Sequence, residues 1–181
     1  MNFIPTELEG CYIFEPTIIS DARGYFMESF NEKAFQEGVR QAVHFVQDNQ
    51  SYSTKGVLRG LHYQTGDHAQ AKLVRVLSGE VLDIAVDIRP ESKTYGRHIA
   101  VLLSAHKQLF IPRGFAHGFL VLSDTATFFY KCDNFYDKSS EGGIIYNDPA
   151  IKIDWQFDAT QLIISEKDHV LPTLENSKKV W

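Results

Sequence analysis

The sequence predicts an all-β fold, a sandwich or barrel of short strands with a few short helices at its edges. Three observations carry this. From Gly56 to Asn134, short apolar or alternating runs follow one another. Turn signals fall between them: Thr65-Gly66-Asp67, Ser78-Gly79, Arg89-Pro90-Glu91-Ser92, Pro112-Arg113-Gly114 and Ser123-Asp124. And the chain of 181 residues, 44% hydrophobic and 23% charged, has the composition of one globular domain with a sizeable core, spanning residues 1–181. Many short strands at this spacing suit a closed or double-sheet β architecture, not alternating helix and strand.

The elements follow in order. Cys11–Ile19 reads as extended, with Pro16 favouring an edge. Asp21–Gly24 is a turn, and Tyr25–Phe30 a strand with Phe26, Glu28 and Phe30 on one face. Asn31 caps a short helix over Glu32–Glu37, which Gly38 is expected to end. His44–Asn49 places Phe45, Gln47 and Asn49 on a common face. Strands are then expected at Gly56–Gln64, Lys72–Ser78, Glu80–Asp87, His98–Ser104, Gln108–Ile111, Phe115–Leu122 and Thr127–Asn134. Asn147–Pro149 forms a turn, and the tail from about Gln156 is too short for a second domain.

Charge and hydropathy narrow the function. With 18 basic and 23 acidic residues the net charge is −5, which argues against a nucleic-acid footprint but allows a local basic pocket for an anion. Apolar runs such as Ile99–Leu103 are too short to cross a membrane, and the first residues lack the pattern of a signal peptide. Cys11 and Cys132 have neither metal nor redox spacing and read as reduced, buried thiols of a cytoplasmic protein.

Two stretches organise the rest. In the first, Gly56 precedes His62 by six positions, Gln64 follows, and Lys72 precedes Gly79 by seven. In the second, Pro112, Gly114 and His117 form a Pro-x-Gly-x-x-His pattern. These resemble the paired motifs of the cupin β-jelly roll (a double-stranded β-helix). Gln64 and Lys72 stand where that fold's metal site has its second His and its Glu. A divalent ion needs neutral imidazole and anionic carboxylate or thiolate, and an ammonium would repel it. No metal is expected.

More of the chain matches a particular family. Asp21–Glu28, Gln47–Ser53, Val57–Gln64, Lys72–Val74, Ile111–Phe119, Tyr130, Tyr136, Asn147–Pro149 and Ser165–Asp168 run in family order over nearly its whole length. The chain resembles the dTDP-4-dehydrorhamnose 3,5-epimerases, metal-free cupins of nucleotide-sugar metabolism. The resemblance implies a homodimer with exchanged N-terminal strands and a C-terminal tail packed on the barrel. It also implies a dTDP-sugar substrate, no cofactor, and conversion of dTDP-4-dehydro-6-deoxy-D-glucose to dTDP-4-dehydro-L-rhamnose.

That reaction inverts C3 and C5 beside a C4 ketone. Each inversion needs a base, enolate stabilisation and a proton donor on the opposite face. Histidine is the natural base near neutral pH, which points to His62. The resemblance assigns Asp168 as the carboxylate that orients and activates it. Lys72, turned inward, would stabilise an enolate at the C4 oxygen. Tyr130 is the expected donor, with Tyr136 a near alternative. Arg23 and Arg59 are the phosphate-binding candidates, since arginine suits bidentate phosphate contact. Phe26, Glu28, Gln47, Asn49, His117, Tyr136, Glu141 and Lys167 are carried over as further substrate-binding residues. Strict alternation puts Arg59 and His62 on opposite faces, so Gly60 is expected to host a bulge. Three other readings compete: a relative that inverts one carbon or moves the ketone of another 4-keto-deoxysugar nucleotide, a metal cupin dioxygenase, and a non-catalytic sugar-binding cupin.

Overall fold

The computed structural model describes residues 1–181. It is a cupin-type β-jelly roll of two facing sheets. In chain order the strands are β1 (Asn2–Pro5), β2 (Tyr12–Glu15), β3 (Ile18–Asp21), β4 (Gly24–Met27), β5 (Gln47–Thr54), β6 (Val57–Gln64), β7 (Lys72–Ser78), β8 (Val81–Asp87), β9 (His98–Leu103), β10 (Gln108–Ile111), β11 (Phe115–Val121), β12 (Thr125–Cys132), β13 (Glu141–Gly143) and β14 (Ile163–Ile164). One sheet has the order β1-β2-β10-β7-β12-β5; the other is β13-β6-β11-β8-β9, with β14 added parallel to β6. β3 and β4 form a separate hairpin.

Alternation along the strands builds the core. Val74, Val76, Leu109, Ile111 and Phe128 of the first sheet meet Val81, Ala85, Phe119 and Val121 of the second between the layers. A second cluster lies on the outer face of the second sheet, where Ile144, Ile151, Trp155, Leu174 and Val180 of the tail cover Leu58, Leu82, Ile84 and Leu120. The tail is tied down by Tyr63 Oη donating to the Lys178 carbonyl and by Gly66 N–H donating to the Val180 carbonyl. A third cluster lies under the helix α1 (Glu32–Val39) on the first sheet. Phe35 is fully buried there against Phe30, Phe45 and Phe110. Truncating such a side chain typically costs ~3–5 kcal/mol.

The structure changes some expected boundaries, for physical reasons. Helix α1 begins at its Asn31 cap, whose Oδ1 accepts from Ala34 N–H at 3.1 Å, but it runs through Gly38 and ends at Arg40, φ 55°. Gly38 is a packing gap rather than a stop, because the Phe3 ring fills the space a Cβ would need. The extended run from Cys11 breaks at Pro16 into β2 and β3, and the strand after the Asp21–Gly24 turn ends at Met27. β5 continues to Thr54, well past Asn49, because it pairs with β12 along its whole length, from Gln47 opposite Cys132 to Thr54 opposite Thr125.

The β6–β11 pair positions the site. His117 lies opposite His62 and Phe119 opposite Arg59, so Gly60 and Leu61 together face Gly118. One extra residue on β6 reverses the alternation between Arg59 and His62.

Candidate active site

Between the sheets, open at one end, is a cavity of about 540 Å³. Its walls include His62 and Arg59 from β6, Lys72 from β7, His117 and Phe119 from β11, and Phe128 and Tyr130 from β12. Ser165, Lys167 and Asp168 close one side. Tyr130 and Lys72 reach the cavity by ordinary alternation: Phe128 and Cys132 flank Tyr130 on the same buried face, and Val74 and Val76 continue the Lys72 face. Arg59 and His62 share the cavity because of the bulge.

His62 Nε2 lies 2.7 Å from Asp168 Oδ1. A carboxylate only accepts, so Nε2 carries the proton and the lone pair is left on Nδ1. Asp168 sits in the short helix α2 (Glu166–His169), where its own N–H donates to the Ser165 cap. Its Oδ2 accepts from Gly60 N–H at 3.3 Å. Burial alone would raise the Asp168 carboxyl, but the His62 ring and the Gly60 and Ser165 contacts outweigh that and hold it below the usual carboxylate range. The arrangement is a carboxylate-oriented imidazole with one side toward the cavity.

Across the cavity, the Lys72 ammonium lies 5.8 Å from the centroid of the Tyr130 ring. Lys72 is half-buried, and the protein packed around it lowers its affinity for a proton. Burial likewise raises the Tyr130 phenol, so it stays protonated at neutral pH. His117 is turned into the same space and its Nε2 lies 2.9 Å from Asp83 Oδ2. Arg59 is braced by Ser53, whose Oγ accepts from Nη2 at 3.1 Å and Nε at 3.2 Å.

The donors do not fit a divalent metal. Both imidazoles have Nε2 committed to a carboxylate. The Gln64 amide is turned into the 134–137 loop, donating to the His68 and Phe135 carbonyls and accepting from Asp137 N–H. The remaining cupin ligand position is the Lys72 ammonium.

Apart from Lys167, the other expected binding residues stand outside the cavity wall. Gln47 and Asn49 sit on β5, bonded to each other at 3.0 Å, and Gln47 Oε1 also accepts from Tyr136 N–H at 3.0 Å. Tyr136 is exposed on that loop. Glu141 pairs with Lys167 at 2.8 Å, and both border a smaller hollow of about 270 Å³ that also touches His62. Arg23, Phe26 and Glu28 belong to the β3–β4 hairpin and its exit, and none of them lines the cavity of its own chain. Sequence reasoning missed Asp83, Ser53 and Ser165. Asp83 carried a usable signal: it alternates onto one face with Val81 and Ala85, where a charge is out of place.

A family profile described as dTDP-4-dehydrorhamnose 3,5-epimerase matches residues 5–176. The dTDP-4-dehydrorhamnose 3,5-epimerase of Shigella flexneri is 56% identical over 170 residues, 93% of each chain. Among solved structures, the protein of that name from Elizabethkingia anophelis superimposes with a TM-score of 0.94 at 52% identity, covering 100% of this chain and 99% of the other. The dTDP-6-deoxy-D-glucose-3,5-epimerase of Legionella pneumophila, in complex with dTDP-4-keto-L-rhamnose, gives a TM-score of 0.93 at 48% identity over 97% and 93% of the two chains.

Proposed function

The chain belongs to the dTDP-4-dehydrorhamnose 3,5-epimerase family, and from that premise we propose how its cavity works. It is an epimerase that converts dTDP-4-dehydro-6-deoxy-D-glucose to dTDP-4-dehydro-L-rhamnose by enolisation beside the C4 ketone. One observation carries the residue roles: the His62–Asp168 pair shares a single cavity with Lys72 and Tyr130.

His62 removes the proton at C3 or C5 through Nδ1, while Asp168 holds the ring and stabilises the imidazolium that forms. Lys72 takes up the charge that develops on the C4 oxygen. Tyr130 then delivers a proton to the opposite face, as a phenol that burial keeps protonated. Arg59 and Lys167 at the open end bind the diphosphate, with His117 against the sugar. Glu141, Gln47, Asn49 and Tyr136 complete the nucleotide side around the mouth. No cofactor enters any step.

The assembly is a homodimer with exchanged N-terminal strands. Two observations support this reading. The hairpin exposes large apolar side chains, Ile19 at 63% and Phe26 at 68%. Its Arg23, Phe26 and Glu28 can join a binding site only by reaching another protomer's cavity, because they lie off their own. Cys11 and Cys132 are buried as separate thiols, which suits a reducing cytoplasm. No helix is long and apolar enough to cross a membrane.

The test is NMR of turnover in deuterated water with dTDP-4-dehydro-6-deoxy-D-glucose. The wild type should exchange and invert C3 and C5, and His62→Ala should lose both by ~10²–10⁴-fold. A loss below tenfold would assign the base to another residue.

A further inference from the structure

Gln64 is a buried amide that takes no part in the steps above. It shares the inward face of β6 with His62, because Leu61 and Tyr63 pack into the cluster on the outer face. It is 5% exposed, yet it lies beyond the cavity wall. Its partners lie mostly on the segment that leaves β12 after Cys132 and joins β13 at Glu141, crossing from the first sheet to the second. Gln64 Nε2 donates to the Phe135 carbonyl at 3.1 Å and to the His68 carbonyl at 2.7 Å, and Oε1 accepts from Asp137 N–H at 2.7 Å. From the opposite sheet, Gln47 Oε1 accepts from Tyr136 N–H at 3.0 Å. Two glutamines on facing sheets thus grip consecutive residues of the crossing segment.

Other bonds already tie its ends. At the start, Gln70 Nε2 donates to the Asn134 carbonyl at 2.8 Å, and Asn134 Nδ2 donates to the Asp67 carbonyl at 2.8 Å. At the far end, Thr65 N–H donates to the Ser140 carbonyl at 2.9 Å, and Glu141 enters the ladder opposite Gln64. The glutamines add control of the middle. Residues 135–137 have no regular structure, and their rings find no core: Phe135 is 63% and Tyr136 54% exposed. A ring that burial does not orient takes its direction from its backbone. Gln64 bonds the residues on both sides of Tyr136 and so sets where that ring leaves the chain.

We propose that Gln64 is a positioning residue for nucleotide binding: with Gln47 it holds the backbone around Tyr136, so that the ring stands ready at the cavity mouth before dTDP arrives. The inference rests on the epimerase reading. Such preorganisation lowers the ordering cost of binding and leaves the proton transfers to His62 and Tyr130.

Gln64→Met keeps the length of the side chain and removes its hydrogen bonds. KM and the Kd for dTDP should rise about three- to tenfold, the range expected when one more side chain must be ordered on binding. The kcat at saturation should stay within about twofold, the mark of lost uniform binding. In a Tyr136→Ala background the same substitution should change the Kd by less than about twofold, because the ring it positions is gone. An unchanged Kd, a fall in kcat as large as the rise in KM, or full additivity with Tyr136→Ala would overturn the proposal. A wild type that binds dTDP yet leaves C3 and C5 of dTDP-4-dehydro-6-deoxy-D-glucose untouched would instead overturn the epimerase reading. Should Gln64→Met not fold, amide hydrogen exchange of the wild type decides. The Tyr136 and Asp137 N–H groups should be protected without ligand, and equally so with dTDP. Exchange at the solvent rate, or protection that arises only with dTDP, overturns the proposal.

Discussion

Gly60 and Gly118 touch backbone to backbone: a Cβ on Gly60 would lie 2.6 Å from Gly118 Cα and 2.9 Å from the His117 carbonyl oxygen. This contact is where β6 gains its extra residue over β11, and so where Arg59 and His62 come to face one cavity. Gly60 has φ +128°, a conformation that a side chain resists.

Gly60→Ala should therefore destabilise the protein by at least ~1–3 kcal/mol and weaken both dTDP binding and turnover. Urea unfolding and dTDP titration measure the two effects. Wild-type values in both would mean that the bulge tolerates a side chain and does not set the site.

The Asp168 carboxyl gives a pH signature. Burial opposes its charge, but the bonds from His62, Gly60 and Ser165 prevail, so its folded pKa lies below the unfolded value. Such a group contributes stability above an unfolded pKa of ~3.9 and loses it as pH falls through the folded pKa. Wild type should thus exceed Asp168→Asn in stability near neutral pH, with the gap closing below about pH 4. A gap that stays constant across the acid range would remove the ionised carboxylate from the account. The same variant should lose less activity than His62→Ala, since it disturbs the imidazole without deleting it.

Tyr130→Phe separates two half-reactions. His62 can still form the enolate and return a solvent deuteron to the face it came from. Deuterium should enter the substrate with configuration retained, and little epimerised product should form. Carbon-by-carbon NMR in deuterated water follows this. Normal inversion at both carbons would transfer the donor role to Tyr136 or water. Loss of exchange as well would place Tyr130 in enolate formation itself.

The proposed exchange of the hairpin between protomers predicts complementation. Arg23→Ala impairs the arm and His62→Ala impairs the body. In a mixed dimer, the Arg23→Ala body receives an intact arm from its partner, so one site of two is whole. Mixing the two inactive or weak variants under exchange conditions should raise activity well above the sum of the parts. Additive activity would place Arg23 in its own chain's site or in none.

The local elements and their residue content were legible in the sequence. Period-2 patterning and turn residues located most strands, because burial on one face imposes that pattern wherever the strand goes. Gln64 and Lys72 argued against a cupin metal centre by their chemistry alone, before any coordinate. Gly60 announced a bulge, because two functional side chains of opposite parity had to share a face.

What the sequence could not contain was who meets whom across the barrel. His62 finds Asp168 over 106 residues and His117 finds Asp83 over 34. Each meeting depends on the register of strands that pair non-locally or, for Asp168, on the seating of a four-residue helix against β6. Alternation fixes the face of a side chain but not its neighbour along the sheet, so the second pair remained invisible although both its members were plain to read. The same holds for the hairpin: the resemblance implies binding roles for Arg23, Phe26 and Glu28, yet only the folded protomer places them off their own cavity. Burial is what selects among the registers that patterning permits, since a carboxylate closed off from water is stable only where a donor is already waiting.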